Sequence, residues 1–101
     1  MPDDAMLPDD EGRQKGRWVL LVTDATIPTA IDGAKSITTW EQSSLGLGLV
    51  RFGLIKFDRP SLGAAFARQF YPAARSFVSR TRAEAYAGGS NALAHLSPPR
   101  R

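Results

Sequence analysis

Apolar side chains first gather at Trp18-Val-Leu-Leu-Val22, a continuous run holding two β-branched residues and a tryptophan. Its shortness and its flanks predict a strand buried on both faces. Residues 1–16 before it show no apolar period and read as an acidic disordered arm built from Pro, Asp, Gly12, Gln14 and Gly16.

The stretch after the first strand supports two readings. Thr26–Ile31, Asp32-Gly33 and Ala34–Trp40 fit a hairpin, because Asp-Gly supplies the positive φ angles of a tight type I′ turn. Ile37, Thr38, Thr39 and Trp40 also favour strand. The competing element is a helix over residues 29–40. Its apolar positions Ala30, Ile31, Ala34, Ile37 and Trp40 step mostly by three and so drift off any single face. Gly33 inside that helix would cost about 1 kcal/mol relative to Ala. The hairpin is the preferred reading of residues 26–42, with Pro28 at a strand edge or just before it.

Ser43-Ser44 reads as a break, and Leu45–Phe57 as the second strand region. Both alternating sets carry apolar groups, so this strand is expected to be covered on both sides. Thirteen residues are long for one strand, which predicts a kink near Gly53 or two short strands.

Asp58-Arg-Pro-Ser61 signals a helix start, with Asp58 or Ser61 as cap and Pro60 in the first turn. An Ala-rich helix is expected from Leu62 to Ala87, kinked or split at Pro72 and ended by Gly88-Gly89. On that helix Leu62, Phe66, Phe70, Ala73 and Phe77 fall within about 80° of one another. Arg68, Arg75 and Arg82 take the opposite side, with Tyr71, Ser79 and Tyr86 beside them. The plain interpretation is an amphipathic helix packed through phenylalanines, its arginines kept in water. The functional one gives the Arg/Tyr face, Arg68, Arg75, Arg82, Tyr71 and Tyr86, an anionic partner to bind.

Charge sharpens that contrast. The 101-residue chain carries a formal +3, yet residues 1–12 hold Asp3, Asp4, Asp9, Asp10 and Glu11 with no Lys or Arg. Residues 59–101 hold seven Arg against Glu84 alone. An acidic block is usually a solvated tail; a sharper reading has it compete with an anionic partner for the basic half. Leu45–Phe57, the longest apolar region, contains Arg51 and Lys56 and falls short of the roughly 20 apolar residues that span a bilayer. No secretory or mitochondrial leader is evident in the acidic first dozen residues, so a cytoplasmic location is the default expectation.

Catalytic chemistry has few candidates. The chain has no Cys and one His, which excludes thiol nucleophiles, disulfides and multi-His metal sites. His95 falls in the expected tail and reads as solvent-exposed. Asp24, Asp32, Glu41, Asp58 and Glu84 sit at expected turns or element ends, where capping explains them. Ser43, Ser44, Ser76 and Ser79 lack an elbow motif or a base. Gly46-Leu-Gly48-Leu-Val-Arg51 approaches a dinucleotide fingerprint, but Arg51 stands where the third glycine belongs.

Together these features predict an α+β fold. A small antiparallel sheet of three or four strands is covered on one face by a kinked amphipathic C-terminal helix, with disordered termini. The expected organisation is an arm over 1–16, one domain over 17–87 and a flexible basic tail over 88–101. The expected function is that of a small basic non-catalytic interaction protein, an adaptor or assembly subunit with a protein partner, no cofactor and no small-molecule substrate. Trp18 and Trp40 are candidate anchors at its interface. The alternatives are RNA or DNA binding through the Arg/Tyr helix face and a reading frame without a selected function.

Overall fold

The computed structural model describes residues 16–96. β1 (Trp18–Thr23), β2 (Ala34–Ser44), β3 (Gly48–Phe57) and β4 (Ala74–Phe77) form one antiparallel sheet in the order β2-β3-β1-β4. The α+β class and the small antiparallel sheet are as the sequence predicts. β1 is flanked by β3 and β4, and its middle four residues are buried, so the continuous apolar run does mark a strand covered on both faces.

The hairpin lies elsewhere than expected. β2 pairs with β3 from Ala34↔Phe57 to Ser44↔Gly48, turning through Leu45-Gly46-Leu47. The Leu47 N–H donates to Ser44 O at 3.0 Å, and Gly46 and Gly48 take φ of 84° and 79°. Such angles suit glycine, so the Gly-Leu-Gly segment is turn chemistry and not a phosphate loop. Ser43-Ser44 accordingly ends β2 instead of lying between elements. Residues 24–33 form neither strand nor helix. Ile27 is buried, and Ile31 packs on the same cluster. Gly53 leaves room for Ile27, whose Cδ1 would lie 3.2 Å from a Cβ there. The segment lies over the sheet, with Ile27 and Ile31 facing inward without a ladder.

The single kinked helix over 62–87 is replaced by three elements. α1 (Pro60–Gln69) is capped by Arg59 with Pro60 at its start, not by the Asp58 or Ser61 side chain. The chain turns through Tyr71 and cis-Pro72 into β4, and α2 (Arg80–Ala87) follows, Ser79 Oγ accepting the Arg82 N–H at 3.1 Å. β4 exists because β1 has a second edge: Ala74–Phe77 pair with Leu21–Trp18 and satisfy backbone groups that burial would otherwise orphan.

The expected cover of one face is also corrected, for both faces are covered. Leu62, Phe66 and Ala67 of α1 pack with Val19, Leu21, Ile55 and Phe57. Alternation along the strands sends Leu20, Val22, Val50 and Phe52 the other way, against Phe77, Tyr86, Ala87, Ala92, Leu93 and Leu96. The phenylalanine stripe is therefore divided: Phe66 in the first layer, Phe77 in the second, and Phe70 42% exposed.

The segment after Gly89 is no loose tail as far as Leu96. A 3₁₀ helix over Ser90–Leu93 buries Ala92, and the His95 Nε2–H donates to Val22 O at 2.8 Å. A carbonyl can only accept, so Nε2 is the donor in this contact. His95 is half-buried and structural. The expected disorder of the arm and of the last residues falls on 1–15 and 97–101, outside the described residues.

Candidate interaction site

The Arg/Tyr stripe survives only in part. Arg75 lies on β4 opposite Leu20, at the sheet's outer edge. Its Cζ stands 5.4 Å from the Tyr71 ring centroid and 5.3 Å from that of Tyr86. Tyr71 reaches it from the turn after α1 and Tyr86 from the last turn of α2. So three residues from three different local structures converge, although the helical wheel that first grouped them does not exist.

Each ring is held differently. Tyr86 packs at 5.5 Å on Phe77, and its hydroxyl donates to Asn91 O at 3.2 Å. Tyr71 is 63% exposed, and its neighbour Phe70 leans on Phe66 at 4.6 Å while presenting an open edge. Cation–aromatic contacts at these distances are worth about 0.5–1 kcal/mol at exposed sites. Among the described residues no carboxylate lies within ion-pair distance of Arg75. Its five N–H donors are thus oriented by aromatic contact and, among the described residues, not consumed by an acid.

Arg68 and Arg82 do not join this site as a stripe. Arg68 sits in the last turn of α1 and Arg82 in the first turn of α2, and those helices pack on opposite faces of the sheet. Arg68 is exposed and Arg82 half-buried. The expected three-arginine face is lost with the single helix that would have aligned it.

Sequence reasoning missed a second grouping. Lys56 Nζ and Arg80 Cζ lie 5.4 and 5.9 Å from the Trp18 ring centroid, and Arg80 Nε also pairs with Glu84 Oε2 at 2.9 Å. The pairing of Trp18 with Lys56 across β1 and β3 sets this contact, a register that no local pattern reveals. Trp40, the other candidate anchor, stacks on Phe52 at 5.2 Å with planes 5° apart and belongs to the packing of the sheet. Arg51, in the near-fingerprint, pairs with Glu41 at 3.3 Å and donates to Asp24 O at 3.0 Å, which ties the hairpin to the 24–33 segment.

Among the described residues no group of three His, Asp or Glu could hold a metal ion, and no helix is long and apolar enough to cross a membrane. The fold and site define a small two-sided α+β domain with an aromatic–arginine corner on one sheet edge. Compared with known families, curated proteins and solved structures, the chain matches none.

Proposed function

We propose that the chain is a non-catalytic interaction protein, an adaptor or assembly subunit, that recognises an acidic segment of a protein partner through Tyr71, Arg75 and Tyr86. One observation carries this reading: the Arg75 guanidinium lies over two tyrosine rings, unpaired by any described carboxylate. Arginine and tyrosine are the residues most enriched where binding energy concentrates, and a planar guanidinium matches a carboxylate bidentately. Phe70, 42% exposed beside Tyr71, extends the corner with apolar area. The arrangement favours a protein over a nucleic acid. A phosphate backbone rewards several aligned cations, and the separation of Arg68 from Arg82 removes that alignment.

The test is partner capture from the native host by the full chain, with Arg75→Ala and Arg75→Lys beside it. A protein retained by the natural chain, lost with Arg75→Ala and weakened with Arg75→Lys supports the reading. Capture indifferent to Arg75 overturns it. Binding of short RNA or DNA that weakens steeply with salt would instead move the function to nucleic acid.

A further inference from the structure

Beyond that reading, which uses the β4 edge, the opposite edge of the sheet points to a second copy of this chain. We propose that β2 pairs antiparallel with β2 of another molecule about a two-fold axis at Thr38, joining two four-stranded sheets into one. β2 is the outermost strand, eleven residues long, and among the described residues it pairs on one side only, with β3. Its outer N–H and C=O groups form an open template that natural sheets usually cover, shorten or charge. A bulge at Lys35, between Ala34 and Ser36, disturbs one end, while Ser36–Ser44 continues in unbroken register.

Charge selects the occupant and the register. β2 has two charged residues, Lys35 and Glu41, and both are exposed. A two-fold axis that keeps each sheet face continuous pairs positions of like parity. Among such registers only the one centred on Thr38 brings the bulged Lys35, whose long side chain need not follow the ladder's alternation, level with the second copy's Glu41, twice by symmetry. The same register puts Ile37 opposite Thr39 and Ser36 opposite Trp40, with no like charges facing. Glu41 engages Arg51 through Oε2, and its side chain is still 55% exposed, so the other oxygen can meet a lysine. An interface that maps onto itself in this way is isologous and closes at two copies, leaving both β4 edges outward.

Sedimentation equilibrium of the full chain over a concentration series tests this. The natural chain should show a reversible monomer–dimer equilibrium. Lys35→Glu and Glu41→Lys should each raise Kd at least about tenfold, by setting like charges across the interface. An equimolar mixture of the two variants should recover the dimer as a mixed pair. Thr38→Lys, which leaves Arg51 and Glu41 intact, should also be monomeric, because it sets two lysines together on the axis. A natural chain that stays monomeric to about 1 mM, where even millimolar affinity registers, overturns the proposal. So does a dimer that tolerates Lys35→Glu and Thr38→Lys, or a mixture that fails to re-form one.

Discussion

Gly63 of α1 passes so close to Gly16, at the entry to β1, that a Cβ on Gly63 would stand 2.8 Å from Gly16 O and 3.3 Å from Arg17 Cα. Both obstacles are backbone and cannot rotate aside. Gly63→Ala should therefore push α1 off the sheet and destabilise the fold by about 1–3 kcal/mol despite its better helix propensity. Urea unfolding followed by circular dichroism measures this. Ala65→Gly, on the exposed side of the same helix, should cost only about 1 kcal/mol.

The two layers should respond separately to truncation. Phe57 is fully buried in the first and Phe52 in the second, so Phe→Ala at either position should cost about 3–5 kcal/mol. Trp40 stacks on Phe52, so Trp40→Ala and Phe52→Ala should be non-additive, whereas Phe57→Ala and Trp40→Ala should add more nearly. A double-mutant cycle by urea denaturation checks both statements.

Ending the chain at Gly89 should destabilise it, because Ala92, Leu93 and Leu96 cover Val50 and Phe52. His95→Ala removes only the hydrogen bond to Val22 O and part of the packing, and should cost about 1 kcal/mol. Thermal melts of the two variants should rank in that order. Equal stability of the truncated and full chains would contradict the packing of residues 90–96.

Amide exchange should show its slowest amides in β1 and β3, the two inner strands, and, at concentrations where the chain is monomeric, faster exchange at the outward groups of β2. A chain with no protected amides would instead fit a reading frame never selected to fold.

How far the sequence could be read follows from the range of each interaction. Trp18–Val22 was legible because burial on both faces leaves a continuous apolar run. Gly46 and Gly48 stood out in the sequence as part of a near-fingerprint, and their role as the hairpin turn followed only from pairing between Gly48–Phe57 and Ala34–Ser44. The segment from Leu62 to Ala87 misled because alanine, arginine and phenylalanine at helical spacing conceal a four-residue strand. Ala74–Phe77 becomes a strand through the vacant edge of β1, more than fifty residues earlier in the chain. Tyr71, Arg75 and Tyr86 were grouped on a helical wheel and do meet, but across a turn, a strand and a helix. Arg68 and Arg82 shared the wheel and part company in the fold.

Placing the earliest strand second from one side of the sheet has a consequence during synthesis. On the ribosome, Trp18–Thr23 emerges well before β3 and β4, the two strands that flank it. Until Phe77 has left the exit tunnel, an oily hexapeptide waits without both of its neighbours. Contacts so far apart along the chain close slowly. Nascent molecules of this protein thus pass through an interval of exposure in which a chaperone has a ready substrate.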